Sequence, residues 1–161
     1  MADSIAQLTA AASQQLAGSS DSARLDSEVL LAHCLNKPSA LIRQRLDGLP
    51  VAYLTGTREF WSRSFIVSPS VLIPRPDTEL IIELSLALLA DQQTSKIIDL
   101  GTGSGIIGIT LAAELPCSQI TACDKSPEAL AIARSNATQL EIANIRFLES
   151  DWFSAISATD F

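Results

Sequence analysis

The residues best suited to chemistry lie in Asp99-Leu100-Gly101-Thr102-Gly103-Ser104-Gly105, where an acid closes a short apolar run and three glycines follow at alternate positions. A strand that stops there and turns through glycines leaves bare main chain at the carboxyl end of a sheet. Glycine has no Cβ, so such a turn accepts positive φ and lets a ligand touch the backbone. The helix expected from about Ile106 points its unpaired N–H groups and the positive end of its dipole at the same spot. Two more acids fall at equivalent positions, Asp124 after the apolar stretch from Gln119 to Cys123 and Asp151 after the stretch from Asn144 to Leu148.

Each of these groups has a specific capacity. The N–H groups of Gly101, Thr102, Gly103, Ser104 and Gly105 can hold a carboxylate, and Asp99 can attract an ammonium. Asp124 can accept hydrogen bonds from both hydroxyls of a ribose. Asp151 can accept from an adenine amino group, and Trp152 or Phe153 can pack on the ring. Carboxylate, ammonium, ribose and adenine together describe S-adenosylmethionine. Taken singly, a glycine serves a tight turn, Asp124 caps a helix and Trp152 joins a core; the conjunction of three strand-end acids around one glycine turn makes the nucleotide-type site. A dinucleotide-binding oxidoreductase using NAD is the rival, because Gly103-Ser104-Gly105-Ile106-Ile107-Gly108 matches G-x-G-x-x-G. That match begins late after the strand, and Asp99 would face a pyrophosphate. A P-loop is excluded, because no Gly-Lys-Ser/Thr follows the glycines.

The elements that must position these residues follow from pattern. From Ser95 the chain alternates strand, helix, strand, helix, strand. Ser126 caps the second helix, with Pro127 at its first position, and Leu130, Ala133, Ala137 and Leu140 line one face. That alternation predicts a parallel α/β sheet with right-handed crossovers. Upstream, the residues from 4 to 16 read as a helix. A second helix capped by Asp21 or Ser22 carries Leu25, Val29, Leu30 and His33, with Leu31 and Leu35 widening its apolar face. Pro38 ends it, and residues 40 to 46 form a further helical turn or two. Residues 51–56, 59–61 and 64–67 read as short strands. Val71-Leu72-Ile73-Pro74-Arg75-Pro76 is extended, and a strong helix, capped by Asp77 or Thr78, runs from about Glu79 to Ala90.

The whole sequence has 161 residues, 47% hydrophobic and 18% charged, with a formal net charge of −7. That is enough for one domain or two small ones with a real core. The acidic balance argues against broad electrostatic binding to nucleic acid or anionic lipid. The first residues carry no signal-peptide pattern, and no stretch is long and apolar enough to span a bilayer. Cys34, Cys117 and Cys123 form no CxxC pair, and His33 is the one histidine. A zinc site or a hydrolase triad therefore has no support, and the thiols read as reduced and mostly buried.

Leu72-Ile73-Pro74-Arg75-Pro76-Asp77-Thr78-Glu79, followed by Ile98-Asp99-Leu100-Gly101-Thr102-Gly103-Ser104-Gly105, closely resembles the HemK/PrmC-type methyltransferases, as do Pro50-Val51-Ala52-Tyr53-Leu54-Thr55-Gly56, Glu59-Phe60-Trp61 and Ser150-Asp151-Trp152-Phe153. Those enzymes methylate a glutamine side-chain amide in peptide chain release factors. The resemblance implies three parts: a helical domain over 1–50 that contacts the release factor, a β-hairpin linker over 51–73, and the first half of a Rossmann-like class I methyltransferase domain over 74–161. It implies S-adenosyl-L-methionine as cofactor, bound by Gly101 to Gly105, Asp124 and Trp152, with Arg75 and Glu79 organising the mouth of the site. It also implies a cytoplasmic place in translation termination, no membrane and no direct nucleic-acid partner. The helical part is shorter than that family's between Leu41 and Arg45. The family's Asn-Pro-Pro-Tyr clamp for the target amide is expected beyond Phe161, so no catalytic residue falls in 1–161, and these residues alone are expected to be unstable and inactive. A DNA adenine amino-methyltransferase and a cofactor-binding remnant without activity are the remaining alternatives.

Overall fold

The computed structural model describes residues 5–33 and 38–157; Cys34 and Leu35 lie outside them. The chain divides into two compact units, Met1–Gly56 and Thr57–Phe161.

The first unit is helical: α1 (Ile5–Leu16), α2 (Ala23–His33), α3 (Pro38–Leu46) and α4 (Val51–Thr55). Ala12, Leu16, Leu30 and Ile42 form its buried core, with Ala23, Leu41, Val51 and Leu54 packed around them. Pro38 opens α3 rather than simply closing α2, as the fixed φ of proline suits a first helical position. The apolar face expected of α2 is turned. Leu25 is 60% exposed and Leu30 is buried, while Asp26 and Ser27 face inward. Both inward polar groups are satisfied. Ser27 Oγ donates to the Ala23 carbonyl at 2.7 Å. Asp26 accepts from Ser20 Oγ at 2.8 Å and Ser22 Oγ at 3.0 Å, and pairs with Arg45 Nε at 2.8 Å.

Residues 51–55 are helix α4, not the expected strand. Val51, Tyr53 and Thr55 suggest a strand by residue type, but Pro50 enters at φ −60° and Gly56 closes the turn at φ 74°. A five-residue helix has little stability of its own. Val51 and Leu54, three apart, both land on the helical core, and tertiary packing decides the conformation. Helix α4 falls in the first unit and the residues from Thr57 onward in the second.

The second unit opens with the antiparallel hairpin β1 (Thr57–Phe60) and β2 (Arg63–Ile66), in register from Thr57↔Ile66 to Phe60↔Arg63. Its two-residue turn places Trp61 and Ser62 at φ 49° and 57°, the mirror-type turn whose twist matches that of the strands. A 3-10 turn (Pro76–Thr78) leads into α5 (Glu79–Leu89). There follow β3 (Lys96–Leu100), α6 (Ile106–Glu114), β4 (Gln119–Asp124), α7 (Pro127–Gln139) and β5 (Ile145–Glu149). The three later strands are parallel in the order β3-β4-β5. Ser126 caps α7 as expected, accepting from the Ala129 N–H at 3.1 Å.

Phe60, Phe65, Ile82, Ile106, Ile109, Leu111 and Ala137 form the core between hairpin, helices and sheet. Each buried large side chain contributes roughly 1.5–3 kcal/mol. Phe60 and Phe65 meet edge to face, with ring centroids 6.4 Å apart. Helix α6 is apolar nearly all round and correspondingly buried. Asn144 closes its far end by donating to the carbonyls of Ala112, Leu115 and Ser118. Helix α5 fully buries only Ile82 and leaves Leu80, Ile81, Leu84 and Leu88 exposed. Among the described residues no helix is long and apolar enough to cross a membrane.

Candidate functional site

The turn after β3 runs through Gly101, Gly103 and Gly105 at φ 73°, 56° and 83°. Main-chain hydrogen bonds fix its path. The N–H groups of Gly101 and Thr102 both donate to the Cys123 carbonyl at 2.9 Å, and the Gly105 N–H donates to the Thr102 carbonyl at 2.9 Å. The glycines divide into two kinds. A Cβ built on Gly101 or Gly103 would meet nothing within 4 Å, so there the backbone faces open space. On Gly105 it would come within 2.6 Å of Ile109 Cδ1 and 3.0 Å of Ala133 Cβ, and on Gly108 within 3.0 Å of Asp99 Oδ2. Those two glycines allow the turn and α6 to pack.

Asp99 is turned toward the structure it supports. Its Oδ2 accepts from Thr102 Oγ1 at 2.6 Å and from the Gly108 N–H at 3.0 Å, which ties β3, the turn and the first turn of α6 together. Burial pushes its carboxyl pKa up and the nearby Asp124 carboxylate adds to this; the bonds from Thr102 and Gly108 oppose the rise without cancelling it. Asp124, at the end of β4, bridges the turn and the next helix: Oδ2 accepts from the Gly103 N–H at 2.9 Å and Oδ1 from the Ser126 N–H at 3.0 Å. Beyond β5, the Ser150 N–H donates to the Asp124 carbonyl at 3.0 Å. Ser150 Oγ donates to the Trp152 carbonyl at 2.8 Å and accepts from the Ala155 N–H at 3.0 Å. These bonds hold Trp152 at φ 52°, an uncommon backbone for a bulky residue. The residue is left 70% exposed. An exposed indole on a strained but pinned backbone is the kind of feature that marks a binding surface.

These groups converge. A cleft of ≈ 150 Å³ is lined by Gly101, Asp124, Lys125, Ser150, Asp151 and Trp152, at the carboxyl ends of all three parallel strands, where open α/β sheets bind their ligands. Besides a cleft of ≈ 510 Å³ at Ala17, Ser20 and Glu28 in the first unit, two roomier clefts of the second unit hold no part of the glycine turn. One, of ≈ 370 Å³, lies at the opposite end of the strands beside Lys96, Gln119 and Asn144; the other, of ≈ 780 Å³, surrounds the hairpin turn at Trp61, Glu79 and Glu114.

Of the sequence-predicted residues, Gly101, Asp124, Asp151 and Trp152 therefore share one cleft. Thr102 and Ser104 are buried and do not line it. Glu79 lies elsewhere: its Oε1 accepts from the Trp61 N–H at 3.0 Å. Trp61 in turn donates from Nε1 to Glu114, the last residue of α6, about 12 Å along that helix from the glycine turn. Glu79 thus fastens the hairpin turn. Arg75 is exposed at the entry to the 3-10 turn and makes no side-chain hydrogen bond or ion pair among the described residues. Cys123 is buried and Cys117 exposed. Burial, with Asp99 and Asp124 nearby, pushes the Cys123 thiol up against the pull of the Gly101 backbone, which removes it as a nucleophile. Among the described residues no group of three His, Cys, Asp or Glu side chains converges to hold a metal.

Lys125 and Ser150 were not anticipated. Ser150 had a visible signal, since it precedes the third strand-end acid.

The family model for the methyltransferase small domain matches residues 78–161. A release factor glutamine methyltransferase of Shewanella oneidensis is 45% identical over 91% of this chain and 58% of its own length. Its namesake in Escherichia coli K12 is 44% identical over 88% and 58%, and that of Coxiella burnetii 40% identical over 98% and 64%. The chain thus spans about three fifths of the length of these relatives.

Proposed function

The chain belongs to the methyltransferase small domain family, and we propose that it carries the cofactor-binding part of an S-adenosylmethionine-dependent enzyme that methylates a glutamine side-chain amide in peptide chain release factors. The convergence of Gly101, Asp124, Asp151 and Trp152 on one cleft carries the cofactor half of this reading. The names borne by relatives 40–45% identical support the substrate half.

The residues present fit this cofactor. The open backbone at Gly101 and Gly103 admits an amino-acid tail where any side chain would crowd it. Asp99 spends Oδ2 on the turn, which leaves Oδ1 for an ammonium. Each oxygen of Asp124 accepts one backbone N–H and retains a second lone pair for a ribose hydroxyl. The exposed Trp152 ring offers a flat apolar face to adenine, and Asp151 an acceptor for its amino group. When bound, S-adenosylmethionine supplies the electrophilic methyl. The chain's own contribution is positioning, which supplies much of the rate in an in-line displacement. In this reading the group that orients the target amide is the Asn-Pro-Pro-Tyr clamp of the resembled family, a motif that residues 1–161 do not contain. The helices over 5–55 are assigned to release-factor contact, and the reaction to the cytoplasm.

Calorimetric titration of the full-length protein with S-adenosylhomocysteine and with NAD tests the cofactor: binding of NAD alone would end the reading. Incubation with a release factor and S-adenosylmethionine, followed by mass spectrometry, tests the substrate. One added methyl on a glutamine amide is expected, and methylation of DNA adenine instead would replace this function.

A further inference from the structure

Asn136 lies in the second half of α7, wholly buried, and uses its amide in three directions. Oδ1 accepts from the Ile66 N–H at 2.6 Å; Nδ2 donates to the Ile66 carbonyl at 3.0 Å and to the Ser104 carbonyl at 2.8 Å. Three residues on, Gln139 Nε2 donates to the Ser64 carbonyl at 3.1 Å. The hairpin register explains these contacts. Across a two-residue turn, Phe60↔Arg63 is a hydrogen-bonded pair, so Glu59↔Ser64 and Thr57↔Ile66 fall at non-bonded positions. Ser64 and Ile66 therefore turn their polar backbone outward, where α7 meets it with side-chain amides in place of a third strand. Gln139 stops at the hairpin. Asn136 goes further and takes the carbonyl of Ser104, inside the glycine turn.

We infer that Asn136 is a positioning residue for the cofactor site: without touching the ligand, it locks the middle of the glycine turn to the hairpin and holds the Gly101–Gly105 backbone in its binding shape. The inference rests on the cofactor reading above for its effect on affinity, though not for its effect on the turn. A segment with glycines at alternate positions has many competing conformations, and those must be removed before binding. The other restraints on it come from β3, β4 and the turn itself: Cys123, Asp124, Asp99 and Thr102. Asn136 supplies the tie to a separate element. No other side chain of its size replaces it. Aspartate cannot donate and would set a carboxylate against two carbonyls, and alanine removes the partner of three backbone groups at once.

The test compares Asn136→Ala, Asn136→Asp and Asn136→Ser with Gln139→Ala in the full-length protein. Gln139→Ala loosens the same hairpin but leaves the turn alone. Two readouts are taken on folded protein: affinity for S-adenosylhomocysteine, and hydrogen exchange of amides 101–105. The Asn136 variants are expected to bind about tenfold more weakly or worse and to exchange these amides faster, whereas Gln139→Ala changes neither. A merely structural Asn136 would lower the melting temperature and leave both readouts unchanged, which overturns the inference. If no Asn136 variant folds, wild-type protein decides through reciprocity: S-adenosylhomocysteine must slow exchange at the Ile66 amide and leave that of Ser62 unchanged, and an Ile66 amide indifferent to ligand refutes the coupling. Wild-type protein that binds no S-adenosylhomocysteine refutes the cofactor reading instead, and exchange at 101–105 in the variants still judges Asn136.

Discussion

Gly105→Ala separates what the backbone of the glycine turn requires from what its packing requires. Gly105 has φ 83°, and a Cβ there would lie 2.6 Å from Ile109 Cδ1, 3.0 Å from Ala133 Cβ and 3.3 Å from Ala133 Cα. Gly101 has φ 73° and open space around the same notional atom. Alanine in the left-handed region costs about 1–2 kcal/mol at either site. At Gly105 an overlap is added. Ile109 Cδ1 is the end of a side chain and could rotate away, but Ile109 is fully buried, and Ala133 carries its Cβ directly on α7 and cannot yield alone. Overpacking of this kind costs about 1–3 kcal/mol. The expected total is about 2–5 kcal/mol for Gly105→Ala, against about 1–2 kcal/mol for Gly101→Ala. Both tryptophans, Trp61 and Trp152, lie in the second unit, so their fluorescence during urea unfolding reports on that unit and not on the first. With an m-value of about 2 kcal/mol per molar, the midpoint of Gly105→Ala should fall by at least 1 M. Adding Ile109→Val removes the atom at 2.6 Å, and the double variant should cost about 1 kcal/mol less than the sum of the singles. Equal midpoints for Gly105→Ala and Gly101→Ala would show that packing at Gly105 has been misread.

Other consequences follow from charge and exposure. Asp99→Asn keeps an oxygen that can accept from Thr102 and Gly108 while removing a buried charge. Because the folded carboxyl has a raised pKa, its contribution to stability falls as pH rises from the ordinary carboxylate value through the raised one. Asn should flatten that slope in urea titrations from acidic to neutral pH and weaken S-adenosylhomocysteine binding without unfolding the chain. Asp26 behaves oppositely. Burial raises its pKa, but the bonds from Arg45, Ser20 and Ser22 and the charge of Arg45 outweigh it, so the net shift is downward. Its stabilisation is complete above the ordinary carboxylate range and is lost as pH falls through the depressed value. Arg45→Met should cost about 2 kcal/mol near neutrality and remove that acid limb, as followed by far-UV circular dichroism. Trp152→Ala should barely change the unfolding midpoint, because the residue is 70% exposed, yet weaken cofactor binding by about 0.5–1.5 kcal/mol in calorimetry.

The sheet half was legible because its signals are local and agree with one another. Apolar runs end at acids, glycines follow the first of them, and Ser126-Pro127 marks a helix start that the backbone confirms with a bond from Ala129. Residues 51–55 were misread because β-branched and aromatic types speak for a strand, whereas the outcome was set by where Val51 and Leu54 could be buried. Pro50 and Gly56 bracket that helix and were the available clue. Leu25 was misplaced for a related reason: periodicity counts apolar residues, and it could not foresee that Asp26 and Ser27 would face inward with every bond satisfied. The strand-end acids were identified but their partners were not. Asp99 and Asp124 support the turn through Thr102, Gly108, Gly103 and Ser126, contacts fixed by three-dimensional register. Glu79 was assigned to the mouth of the site through the resemblance alone, and its bond to the Trp61 N–H of the hairpin turn had no signal in the sequence.

The outward rim of β2 also bears on behaviour in a crowded cell. A bare strand rim invites a foreign strand to add on, and that is one start of fibrous precipitation. Here the inviting carbonyls of Ser64 and Ile66 are already taken by Asn136 and Gln139. The two amides therefore act as a guard against self-association, set in a helix where no intruding chain can peel them away one residue at a time.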